Sequence, residues 1–291
     1  MLATFNGALD VDGGPTVEQR DLLDALARHV FGLDRGKVGS LEPDESAAAL
    51  TAAFDRRIVI ESLIGLELSR HPPSPPLVDR VQRYLTALGA GDDEQQLVRD
   101  YVGGERDRLA ADFARVYAPP PPAVELPADG ADGLAARLDA LAACPEGTVG
   151  RAFHDFYARH GYAWPLDDPS MVTHDFSHVL AGYEPTPDGE VALQAMLVSA
   201  TDGERHYSGL LASLLLFEVG MLPFNDLVPK EAVLARPGAA ELIGVALARG
   251  VRCGVDFADL DHLSLTHRGL VELRAELRID APAPGPSTFV T

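Results

Sequence analysis

The sequence predicts an all-α protein built from two helical domains. Apolar residues recur at helical spacing through most of the chain, no stretch keeps the alternation of a strand, and prolines gather where the helical periods stop. At 291 residues the chain is long enough for two separate cores.

The first predicted helix starts at Thr16, whose hydroxyl suits an N-cap, and runs to about Phe31. A second begins at Glu42, with Pro43 in the first helical position, and ends near Leu50. A third, from Ala52 to Ser69, repeats apolar residues at Phe54, Ile58, Leu63, Leu66 and Leu68. The run from His71 to Pro76 ends it, because proline lacks the amide that a helix interior donates. Leu77 to Leu88 and Asp92 to Val116 complete a five-helix module over residues 1–118. The prolines from Pro119 to Pro122 open a stiff linker, residues 119–125. A second helical domain, expected to carry a metal-binding helical hairpin, then spans residues 126–280. The Pro-rich tail, 281–291, is expected to be disordered or extended.

The formal net charge of −20 argues against nucleic acid, whose phosphates demand a basic surface, and against electrostatic docking on an anionic leaflet. The two cysteines, Cys144 and Cys253, form no C-x-x-C pair and read as reduced thiols. The first residues lack the pattern of a signal or transit peptide. A cytoplasmic protein of bacterial composition is therefore expected, with peripheral contact at a membrane left open. No transmembrane segment is expected either. The most apolar run, Leu210 to Phe217, is far shorter than the roughly 20 residues a span needs. Leu210, Leu211, Leu214, Leu215 and Phe217 read as a buried helix face or as the wall of a tunnel for an isoprenoid tail.

The chemistry concentrates in THDFSHVLAGYEPTPDGEVAL. His174 and His178 are four residues apart, so on a helix they lie within about 40° of each other, with Asp175 on the flank of that face. Gly182 and the stretch from Glu184 to Gly189 reverse the chain and place Glu190 at the start of the next helix. His174, Asp175, His178 and Glu190 are thus candidate ligands of one divalent metal. Two imidazoles and two carboxylates suit zinc, and would accept iron or manganese. Glu204 and His206 follow closely and could orient a ligand from behind. His154-Asp155 repeats the pair, but position 158 is alanine and offers no second imidazole. His262 and His267 are five apart, poorly aligned on a helix, and read as surface or inter-helix residues. Neither a nucleophile elbow nor a phosphate-cradling or dinucleotide glycine motif is present.

Three ordered motifs from Leu126 to Phe257 resemble the coenzyme Q biosynthesis protein 4 (Coq four) family. They are CPEGTVGRAF (Cys144 to Phe153), the His-Asp-x-x-His-x11-Glu set from His174 to Glu190, and GEVALQA from Gly189 to Ala195. The resemblance implies an all-α domain that binds a prenylated lipid in an apolar tunnel. It also implies a metal on His174, Asp175, His178 and Glu190. A role in ubiquinone biosynthesis follows from it, with two forms: oxidative removal of the ring carboxyl from a prenylated aromatic precursor, or a non-catalytic lipid-binding scaffold that organises partner biosynthetic enzymes around a structural metal. Residues 1–118 lie outside that resemblance. Around Leu9 to Glu18 they more weakly resemble the TerB-like helical domain, for which protein–protein contact is the expected role. Asp10-Val11-Asp12-Gly13 opens like a calcium loop but lacks its later ligands. An acidic surface does not forbid a specific apolar interface, so a homodimer is compatible with the sequence.

Overall fold

The computed structural model describes residues 1–91, 96, 99–100, 102–105, 107–108, 110–111, 130–200, 205–220, 229–253 and 255–289. The described residues are helical, with isolated bridges and no strand. None of their helices is long and apolar enough to cross a membrane. The all-α expectation holds.

Two compact units divide the chain. One holds Met1–Pro119 and Asp202–Ala248, the other Pro120–Thr201 and Arg249–Thr291. The first division falls at the proline run, while residues 202–248, expected in the second domain, group with the N-terminal helices. The helix Arg205–Phe217 packs against Ala53–Leu68 and places Leu211, Leu214, Leu215 and Phe217 in the interior of that unit. Residues 119–125 lie outside the described residues, as does much of the expected 92–116 helix.

In the first unit, α1 (Leu2–Leu9) precedes α2 (Val17–His29), α3 (Pro43–Ala49), α4 (Ala53–Leu68) and α5 (Pro75–Leu88). Sequence reasoning missed α1, which offers neither a capping side chain nor a charged first turn. Helix α2 opens with a full capping box: Thr16 accepts from the Gln19 amide, and Gln19 accepts from the Thr16 amide. The buried Gln19 amide nitrogen also donates to the Leu66 carbonyl at 2.8 Å, tying α2 to the end of α4. Gly7 lets α1 approach the chain at Leu41, where a Cβ would stand 2.2 Å from the Leu41 oxygen. Asp12 is paired with Arg70 at 2.8 Å.

In the second unit, α6 (Gly130–Asp139) leads to α7 (Val149–His160), α8 (Ser170–Ala181) and α9 (Pro187–Ala200). The last residues of α11 (Ala239–Cys253), which follows α10 (Arg205–Phe217), and α12 (Leu270–Glu276) complete it. Thr148 caps α7. Phe153 of α7 and Phe176 of α8 stack with centroids 3.7 Å apart, which fixes the register of these two helices. Of the tail, expected to be disordered or extended, residues 281–289 are non-helical and packed. The Phe289 amide donates to the Gly182 carbonyl at 3.0 Å, the Glu184 amide donates to Ser287 at 3.0 Å, and Phe289 is buried. Residues 290–291 lie outside the described residues.

Candidate metal centre

Helix α8 carries His174 and His178 one turn apart, and α9 returns Glu190 to them. The reversal depends on Gly182, which ends α8 at φ +77°, a conformation that favours glycine. A Cβ there would also stand 2.9 Å from Pro282. Gly189 is equally confined, with the Glu184 carbonyl oxygen 2.1 Å from where a Cβ would be.

The result is a triangle of three residues. The Nε2 atoms of His174 and His178 are 3.1 Å apart, and His174 Nε2 lies 3.2 Å from Glu190 Oε2 while His178 Nε2 lies 3.2 Å from Glu190 Oε1. Ligands about 2.1 Å from a common ion would be separated by about 3.0 Å at right angles and about 3.4 Å at the tetrahedral angle. The observed separations are of that size, with each imidazole facing a different oxygen of the one carboxylate. Those three residues form the potential metal-binding group found among the described residues.

Electrostatics agree. Burial works to lower the His174 pKa, but the Glu190 carboxylate, bonded to it, more than reverses this and lifts it to about 9. Burial likewise works to raise Glu190, and the charges of His178 and His174 overcome it, holding the carboxyl well below the ordinary range.

Supports behind the triangle fix its orientation. His178 is fully buried, and its Nδ1 lies 2.9 Å from the Tyr183 carbonyl oxygen. Donation there makes Nε2 the free lone pair, as a metal ligand requires. The last four carbonyls of α8, which have no partner within a helix, are all satisfied. His178 O accepts from the Gly182 amide at 2.7 Å, Val179 O and Leu180 O accept from Arg274 at 2.8 and 2.9 Å, and Ala181 O accepts from Arg249 at 2.7 Å. Two buried guanidinium groups at a helix C-terminus also complement its dipole. Burial lowers Arg274 to about 10, still charged at neutral pH.

Asp175, expected as the fourth ligand, is not brought into the triangle. Its carboxylate accepts a hydrogen bond from the Tyr157 hydroxyl on α7. Burial raises its pKa. Of the two residues expected behind the ligands, Glu204 lies outside the described residues, and His206 is buried on α10 in the first unit. His154 and Asp155 contact each other at 3.2 Å, apart from the cluster. Of the surface and inter-helix readings of His262, the structure shows the second: it is 1% exposed, its ring stacked on Phe176 at 5.2 Å. Sequence reasoning missed Tyr157, Arg249 and Arg274. Tyr157 alone gave a faint signal, in an aromatic-rich stretch beside a predicted metal helix.

No family model matches this chain, and no curated protein does. Among solved structures, a protein from Nostoc punctiforme PCC 73102, provisionally described as a ubiquinone biosynthesis protein, is 21% identical. The match covers 78% of this chain and 98% of that one, with a TM-score of 0.34. The likeness is distant.

Proposed function

We propose that the protein binds one divalent metal through His174, His178 and Glu190 and uses it on a prenylated aromatic acid of quinone biosynthesis, removing the ring carboxyl as carbon dioxide, with a proton taking its place on the ring, or a hydroxyl derived from dioxygen in the oxidative form. The observation that carries this reading is the convergence of two imidazole nitrogens and a carboxylate at 3.1–3.2 Å on a helical hairpin. The ordered motifs that resemble the Coq four family support the choice of substrate. Zinc suits the donor set, and iron or manganese would be accepted.

A bound divalent ion would supply Lewis acidity, drawing electron density from a carboxylate or phenol oxygen. The chain's own groups do the rest. His178 is held to one tautomer by Tyr183, Glu190 supplies the charge that two neutral imidazoles lack, and the Arg274 and Arg249 clamp keeps the helix end from fraying. Phe153 and Phe156 of α7 pack on Phe176 and His178 of α8, and Tyr157 and Trp164 lie against Phe153 beside them.

The test is carbon dioxide release from a prenylated 4-hydroxybenzoate by metal-loaded protein. Wild type should release it and His178→Ala should not. Release by both, or by neither when wild type is folded and loaded, would contradict the enzymatic reading. The second of these outcomes would leave a lipid-binding scaffold with a structural metal.

A further inference from the structure

We propose that Tyr157 withholds Asp175 from the metal and so leaves the site with three protein ligands and an open coordination position. The inference rests on the metal-centre reading above and concerns which residues complete it.

Asp175 lies next to His174 in sequence, about 100° round the helix from it. Its carboxylate is not among the donor atoms that converge on one another, and its Oδ2 instead accepts the Tyr157 hydroxyl on the neighbouring helix. The Tyr157 ring is not free to follow Asp175. It is 4% exposed and packed against Trp164 at 4.4 Å and Phe153 at 4.9 Å, while Phe153 is itself stacked on Phe176. Phe153 and Tyr157 are four residues apart on α7, and Phe176 directly follows Asp175 on α8, so the stacked pair sets the phenol against the carboxylate. Were Asp175 to turn towards the cluster, a buried phenol donor would lose its acceptor, which is costly. A closed four-ligand site is usually structural, whereas three protein ligands leave a place for solvent or substrate. The ligand class suited to that place is an oxygen donor such as a carboxylate or phenolate. Tyr157 is thus a positioning residue, acting on the metal through Asp175.

Cobalt(II) titration followed by the visible spectrum separates the possibilities, with azide added as a small anionic probe of the open position. Wild type and Asp175→Asn should bind one cobalt ion with affinities within about tenfold of each other, while Glu190→Gln should lose more than the roughly 100-fold typical of outer partners. Azide should change the wild-type spectrum. In Tyr157→Phe, which keeps the packed ring, Asp175 is released to the metal, so cobalt should bind more tightly and azide should have little effect. If Asp175→Asn loses as much affinity as Glu190→Gln and Tyr157→Phe matches wild type, Asp175 is an ordinary ligand and this inference is overturned alone. If folded wild type takes up no cobalt, the metal-centre reading falls, and this one with it.

Discussion

The Nδ1 of His178 lies 2.9 Å from the carbonyl oxygen of Tyr183, five residues further on and past the end of the helix. The turn that ends α8 therefore also sets the tautomer of a candidate ligand. Gly182 makes that turn possible, and the C-terminal segment braces it through the Phe289 amide.

Gly182→Ala should therefore damage both stability and the site. An L residue in the left-handed region costs roughly 1–2 kcal/mol, before any cost of the contact with Pro282. Thermal unfolding should show the loss, and metal affinity should fall with it because the Tyr183 carbonyl moves. An unchanged melting temperature would show that the turn tolerates a side chain.

The two carbonyls held by Arg274 predict a second effect. Replacing a buried charge with an apolar group can be neutral when its partner is replaced too. Here the partners are backbone carbonyls and remain, so Arg274→Met should cost on the order of 2–3 kcal/mol. Denaturant unfolding at neutral pH would measure it.

His262 predicts an acid dependence. Burial depresses its pKa to about 4, against about 6.5 for the free ring. Because the folded value is the lower one, the unfolded chain binds the extra proton. The contribution is fully present above about pH 6.5 and is lost as pH falls towards 4, amounting to at most about 3 kcal/mol. His262→Phe, which preserves the stack on Phe176, should flatten unfolding stability across that window relative to wild type. An equally steep slope in the variant would assign the titration to other groups.

Much of this was legible in the chain. The periods of α2 to α5 and their proline stops gave the helices, and His174, His178 and Glu190 could be placed together because helical spacing and a Gly–Pro turn are local rules. Asp175 was not decidable in the same way. A residue on the flank of a helix faces whichever neighbour packs there, and the packing of α7 is not written in the spacing. The Arg274 clamp, 94 residues from Leu180, was invisible for the same reason. The tail's prolines suggest a disordered or extended segment, yet the backbone groups of Ser287 and Phe289 find partners beside Gly182 and Glu184. The grouping of residues 202–248 with the N-terminal helices was equally hidden, since an apolar face such as that of α10 does not name the helix it covers.

The most direct measurement is elemental analysis of purified protein beside His178→Ala and Glu190→Ala. The account predicts near-stoichiometric zinc, iron or manganese in wild type and its loss in both variants. Folded wild type that neither carries nor takes up a divalent metal would contradict it.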